Sequence, residues 1–300
     1  MIPIMKNLRD YINKAVMYRA IEMAIAYQYA NQKMRCPVHL SIGQEYWLPF
    51  LKKNILKKVR CFSSHRSHSM YLALEGDLNL MIEELYGLRT GCLMGRGGSM
   101  HLKDLEVGLE ASVPIVGSSL PLALGSAFSA KHSKQTVLSI AYFGDGACEE
   151  GVLHECLNYA SVNKLPILFI CENNLYSCNT NLKRRQPAEN MARFAIAAKI
   201  KTFQLQSSDS FEEIDLILNS SITSSYSEPI FLEIKSYRLF EHCGNRIDKD
   251  CGDRTKAEYD LFDKLDPIAI EIKNNSSSRM VFEETYEDIL SFCSRIEASL

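Results

Sequence analysis

Two short motifs place oxygen donors where a phosphate-bearing cofactor could use them. GDG occupies residues 144–146 and ENN occupies 172–174. Asp145 offers a carboxylate and Asn174 an amide oxygen, hard donors of the kind magnesium takes while keeping places for water and phosphate oxygens. A carbonyl from Tyr176 would complete such a set. Gly144 and Gly146 let backbone come close to a ligand, and a helix start at 147–149 would turn unpaired N–H groups toward an anion. Taken singly, Asp-Gly is more simply a tight turn and Asn-Asn a turn or helix cap. Together they bracket a single strand–helix–strand unit, which is a far more specific arrangement.

The flanking elements explain how the two motifs would meet. VLSIAYF at 137–143 and LPILFIC at 165–171 are continuous apolar runs of strand length. Between them, Val152, Leu153, Cys156, Leu157 and Ala160 mark one face of a helix at 149–163. Apolar runs joined by a helix indicate parallel strands buried on both faces. Parallel neighbours point the same way, so Asp145 and Asn174 fall at one sheet edge, where open α/β sheets bind ligands. Further strands are expected at 200–206 and 229–235, with a helix at 211–219. An amphipathic helix is expected at 5–31, another at 75–90, a helix of small residues at 114–131, and a last one at 280–298 after NNSSS. GCLMGRGGSMH at 91–101 has too many glycines for a regular element and reads as a loop for close backbone approach. The alternating charges of 237–256 read as a long polar loop, mobile until an anion orders it.

Composition bounds the rest. The 300 residues suit one α/β domain, 1–300, with helical extensions at both ends. A formal charge of −2 gives no basic footprint for nucleic acid and no polybasic membrane anchor. No apolar run is long enough to span a bilayer, and MIPIMKNLRDYINKA lacks the apolar core of a signal peptide. The ten cysteines form no CxxC pair and several sit in apolar runs, so reduced thiols and a cytoplasmic location are expected. The runs Lys52–Lys58 and Glu283–Glu287 are most simply solvated faces.

The stretch GDGACEEGVLHECLNYASVNKLPILFICENNLYS resembles the thiamine diphosphate motif, GDG followed downstream by NN. HLSIGQE at 39–45 is similar to HLxxGQE, GRGGSMH at 95–101 to GKGGSMH, and IVGSSLPLALG at 115–125 to IVGAQxPxAxG. These are motifs of the alpha subunits of pyruvate, branched-chain and acetoin dehydrogenase complexes, and the resemblance runs in unbroken order from about residue 10 to residue 268. It implies the thiamine-diphosphate-binding fold, a mostly parallel sheet flanked by helices. It also implies roles. Asp145 and Asn174 would hold Mg2+ through side-chain oxygens, and Tyr176 through its carbonyl. Gly146 and Ala147 would present backbone to the diphosphate, Arg66 of SHRSHS would pair with it, and His242 would reach it from a mobile loop. Val116 would support the bent cofactor, and His68 would face the substrate. His39 and His101 are expected to be structural.

The sequence departs from that family at several places. His65 stands for the tyrosine of YRxHG, Pro114 for a glycine near the cofactor's pyrimidine, and Cys243 for a serine that some mitochondrial relatives phosphorylate. Phe240 and Glu241 replace residues that are often small or polar. Thiamine diphosphate also needs a carboxylate to activate its pyrimidine ring, and this chain has no second α/β unit to carry one. The resemblance therefore implies a beta subunit, an α2β2 assembly, a 2-oxo acid or acyloin substrate, and acyl transfer to a lipoyl acyltransferase. Two other readings are the diphosphate-binding half of a split transketolase-like carboligase, against which HLSIGQE and GGSMH argue, and a non-catalytic scaffold subunit, against which the intact Asp145/Asn174 pair argues.

Overall fold

Two strands set the architecture because both of their faces are apolar. In the computed structural model, which describes residues 7–34, 36–250 and 254–300, they are Val137–Gly144 (β3) and Ile167–Asn173 (β4). Alternate residues enter two separate cores. Leu138, Ile140, Tyr142, Leu168 and Ile170 join one; Ala141, Phe143, Phe169 and Cys171 join the other. Each such aliphatic side chain contributes about 1.5–3 kcal/mol on burial, which is why these strands lie mid-sheet.

Lys58–Ser63 (β1), Leu109–Ser112 (β2), Lys201–Gln206 (β7) and Ile230–Lys235 (β8) complete a six-stranded sheet of order β2-β1-β3-β4-β8-β7. Every pairing in it is parallel. A small hairpin, Tyr176–Ser177 (β5) with Thr180–Asn181 (β6), follows β4. Connections run outward from β1 to β2 and then return to place β3 on the other side of β1. The carboxyl ends of β1 and β3 therefore flank the switch point, where such sheets open a crevice.

Helices cover both faces. Leu8–Ala30 (α1), Leu48–Asn54 (α2), His68–Ala73 (α3), Leu78–Leu85 (α4) and Phe211–Ser225 (α8) bury the first core. Ser119–His132 (α5), Gly151–Asn163 (α6) and Ala192–Ala197 (α7) bury the second. Lys256–Lys264 (α9), Pro267–Asn274 (α10) and Ser276–Ser299 (α11) close the chain, with α11 packed along α1. Asn7 and Asp10 form a capping box that fixes the start of α1 at Leu8; residues 5 and 6 of the expected helix lie outside the described residues. No described helix is long and apolar enough to cross a membrane.

Several expectations need correction. The 75–90 helix is α4 alone, stopped at Tyr86 and followed by a turn at positive-φ Gly87. The small-residue helix begins at Ser119 and is not wholly buried, since Leu122 and Phe128 are exposed. The NNSSS segment does not break the chain for long: Asn275 caps α11 by accepting from the N–H groups of Ser277 and Ser278. The 237–256 stretch is solvated only in part, at residues such as Arg246 and Lys249, while 251–253 lie outside the described residues. Arg238, Asp248 and Arg254 are buried and paired, with Arg254 Nε 3.0 Å from an Asp248 oxygen. Tyr237 stacks on Phe262 at 4.0 Å.

Candidate active site

A cleft of ≈ 270 Å³ opens over the carboxyl ends of β1, β3 and β4. It gathers Arg66, His65, Pro114, Val116, Gly144, Asp145, Gly146, Ala147, Asn174, Tyr176 and His242, all expected from the sequence. At one end, Asp145 leaves β3 with its side chain buried. Burial raises its pKa, and the Arg185 guanidinium hydrogen-bonded to it works in the opposite direction. Asn174 leaves β4. Its Nδ2 donates to Gln44 Oε1 at 3.5 Å and its Oδ1 accepts from the Tyr176 N–H at 3.2 Å. Tyr176 turns its hydroxyl away to Glu258 at 3.0 Å, so only its backbone is available to the cleft chemistry proposed for it. Gly146 packs closely on the hairpin: a Cβ there would lie 2.6 Å from Ser177 Oγ, which would have to shift. The donor set of a carboxylate, an amide oxygen and a carbonyl suits a hard divalent cation.

Below these groups, Glu172 is a fully buried carboxyl. It accepts from Trp47 Nε1 at 3.3 Å and from the Tyr142 hydroxyl, and burial raises its pKa. Glu172 lies within β4 and Asn174 just past its end. Both Glu172 and Gln44 line the cleft, although neither stood out as a site residue in the sequence. Gln44 lies in the quoted HLSIGQE motif, which was the available signal.

The other end of the cleft is cationic. Arg66 donates to the Leu40 carbonyl at 2.5 Å and to the His242 carbonyl at 3.2 Å. His39, His65 and His242 surround it, their ring centroids 5.0–5.3 Å apart. Burial, followed by the nearby Arg66 charge, lowers His39 to about 2, His65 to about 4 and His242 to about 3. Arg238 is pulled down to about 9, by burial first and then by Arg66 and Arg254. Three neutral imidazoles crowded by guanidiniums form a surface short of negative charge. His39 Nδ1 is buried with no hydrogen-bond partner, an orphan that an anionic oxygen would satisfy. His39 thus belongs to the cleft rather than to the structural background expected for it.

Backbone pairing brings His242 here. Leu239 N–H donates to the Ile42 carbonyl and Gly244 N–H to the Val38 carbonyl, each at 2.9 Å. Gly43 permits that contact: its φ is +97°, and a Cβ would lie 2.1 Å from the Tyr237 carbonyl. His68, expected to face the substrate, is instead fully buried and does not line the cleft. Its Nδ1 lies 2.6 Å from Glu22 Oε1 and its Nε2 2.9 Å from Ser99 Oγ. Ser99 Oγ also accepts from the His39 N–H at 3.0 Å. His68 therefore braces the Gly-rich segment and, through Ser99, the segment carrying His39. The Gly-rich segment itself is gathered by Glu84, which accepts from the N–H groups of Leu93, Gly95, Gly97 and Gly98 at 2.7–3.0 Å. His101, as expected, is structural, with Nδ1 on the Gly97 carbonyl at 2.8 Å.

A parallel sheet that presents oxygen donors and a cationic pocket at its switch point defines an α/β protein built for a phosphate-bearing cofactor. The family can be named as well: residues 13–294 match the Dehydrogenase E1 component family, and the chain belongs to it, among the 2-oxo acid dehydrogenase alpha subunits. Membership implies use of thiamine diphosphate. The chain is 30% identical over 256 residues to the pyruvate dehydrogenase E1 component subunit alpha of Rickettsia bellii (strain RML369-C), covering 84% of this chain and 78% of that one. It is 32% identical over 237 residues to the mitochondrial alpha subunit of Solanum tuberosum, and 30% identical over 237 residues to the mitochondrial alpha-1 subunit of Arabidopsis thaliana. Those matches cover 79% of this chain but only 60% of each plant protein.

Proposed function

We propose that this chain binds the magnesium-diphosphate end of thiamine diphosphate and, with a beta subunit, supports oxidative decarboxylation of a 2-oxo acid or cleavage of an acyloin. The observation that carries this reading is the division of one cleft into an oxygen-donor end at Asp145 and Asn174 and a cationic end at Arg66, His65 and His242. Asp145, Asn174 and the Tyr176 carbonyl would hold Mg2+. Arg66 and the imidazoles would take the phosphate oxygens, and the Gly146–Ala147 backbone would lie against them. When bound, the cofactor supplies the nucleophile that attacks the substrate carbonyl and stabilises the carbanion that follows. Val116, 48% exposed beside Pro114 and Ile115, offers the apolar rim on which the cofactor's bend would rest.

The beta subunit is proposed because the described residues form one six-stranded α/β unit, with no second such unit among them to carry an activating carboxylate. An apolar surface supports it: Leu122 and Phe128 of α5 and Tyr159 and Val162 of α6 are exposed, and nothing stands within 4 Å of where Cβ atoms at Gly125 and Gly151 would be. An α2β2 assembly, a lipoyl acyltransferase as acyl acceptor and a cytoplasmic location complete the proposal. The test is decarboxylation of 2-oxo acids with an artificial electron acceptor, using the purified chain alone and then with its beta subunit. Turnover is expected only from the pair; robust turnover by the chain alone overturns the division of labour.

A further inference from the structure

The loop after β6 places a cation on the carboxylate assigned to the metal. Arg185 hydrogen-bonds Asp145 through Nη2 and Glu149 through Nη1, while its Nε donates to the Thr180 carbonyl at 2.9 Å. Its side chain is only 9% exposed, and that of Asp145 is 2% exposed. The placement is built in rather than incidental. Leu182 is fully buried, its N–H bonds the Leu175 carbonyl at 2.7 Å, and the Arg185 N–H bonds the Leu182 carbonyl at 2.9 Å. One guanidinium therefore spans both carboxylates of the 145–149 turn, and its three donors are held by two side chains and a fixed carbonyl. Lys183 and Arg184, its neighbours in sequence, are exposed.

We infer that Arg185 is the resident counter-ion of the Asp145–Glu149 pair, and that it competes with the divalent cation for Asp145. The inference rests on the proposed role of Asp145 as a metal ligand. A buried carboxylate needs a positive partner, and Arg185 supplies it. A dication arriving at Asp145 meets a guanidinium already hydrogen-bonded to that group, and like charges so close, away from bulk water, repel strongly. Metal affinity is therefore set below what the oxygen donors alone would give. Glu149 tunes the competition, because it draws the guanidinium partly away from Asp145. A merely supportive Arg185, orienting one carboxylate oxygen so that the other faces the metal, would have the opposite sign.

The experiment is Mn2+ binding to the full-length chain, followed by the EPR signal of free Mn2+, with and without thiamine diphosphate. The wild type is compared with Arg185→Gln, Arg185→Lys, Glu149→Gln and Asp145→Ala. Arg185→Gln is expected to bind Mn2+ about tenfold or more tightly than the wild type, the equivalent of one charge-assisted hydrogen bond removed from competition. Arg185→Lys keeps the charge and should stay near the wild type; Glu149→Gln should bind more weakly. The rise in melting temperature on adding Mn2+ should be larger in Arg185→Gln than in the wild type, which a purely structural role for Arg185 would not produce. Equal or weaker Mn2+ binding by Arg185→Gln overturns the inference. Undiminished binding by Asp145→Ala overturns the metal-ligand reading itself and takes the inference with it, so the two failures are told apart.

Discussion

The histidine cluster should make the fold sensitive to mild acid. His39, His65 and His242 have folded-state values of about 2, 4 and 3, each below the ordinary histidine value. Between those values and the ordinary one the unfolded chain binds more protons than the folded chain. The stability tied to the neutral rings is therefore complete above about pH 7 and falls as pH drops. At about pH 5.5, one unit below the ordinary value, the loss is about 1.4 kcal/mol per histidine and about 4 kcal/mol for all three. That is a large share of the total for a domain whose stability is about 5–15 kcal/mol. Urea unfolding of the metal-free chain at about pH 7.5 and pH 5.5 measures it, with His65→Phe as the comparison. The buried carboxyls of Glu172, Glu45 and Asp145, raised by burial, act with the opposite sign. They are common to both proteins, so the difference between the two isolates the ring. His65→Phe should lose about 1.4 kcal/mol less stability than the wild type over this interval. An identical loss in both proteins refutes the claim that His65 is held neutral by burial and the Arg66 charge.

Replacing Asp145 or Asn174 with Ala should abolish magnesium-dependent binding of thiamine diphosphate while the circular dichroism spectrum is kept; calorimetric titration of the assembled complex checks it, and unchanged affinity in both variants counts against the assignment. Glu84→Ala should strand four backbone donors in and around the Gly-rich segment and cost about 3 kcal/mol. Denaturant titration gives the stability, and limited proteolysis should show cleavage moving into 91–98.

The central sheet and the oxygen-donor end of the site were legible because their signals are local. Continuous apolar runs at 137–143 and 165–171 admit little besides strands buried on both faces, and parallel pairing then carries Asp145 and Asn174 to one edge. What was hidden depends on contacts between distant segments. β1 reads KVRCFS, with a lysine and an arginine among its apolar residues, and only half of each turn of the pleat is buried. His68 carries no mark in the sequence that would set it apart from a cleft histidine; Glu22 and Ser99, from α1 and the Gly-rich segment, take both of its ring nitrogens. The charges of 237–256 looked solvated because Asp248 neutralises Arg238 and Arg254 only in three dimensions. Arg185 sits in a run with Lys183 and Arg184, and its chain neighbours do not distinguish it.

The seam between 38–43 and 237–244 has a consequence for the order in which the protein is made. On the ribosome the strands bearing Asp145 and Asn174 emerge well before Leu239, His242 and Gly244. The carbonyls of Val38 and Ile42 must therefore wait for partners, Gly244 and Leu239, that lie far along the chain. Contacts of such long sequence separation form late and slow the folding of the domain that needs them. The oxygen-donor half of the cleft can thus be complete on a nascent chain while the phosphate-facing half still lacks His242. Capture of the cofactor then waits until synthesis has delivered β8 and the segment beyond it.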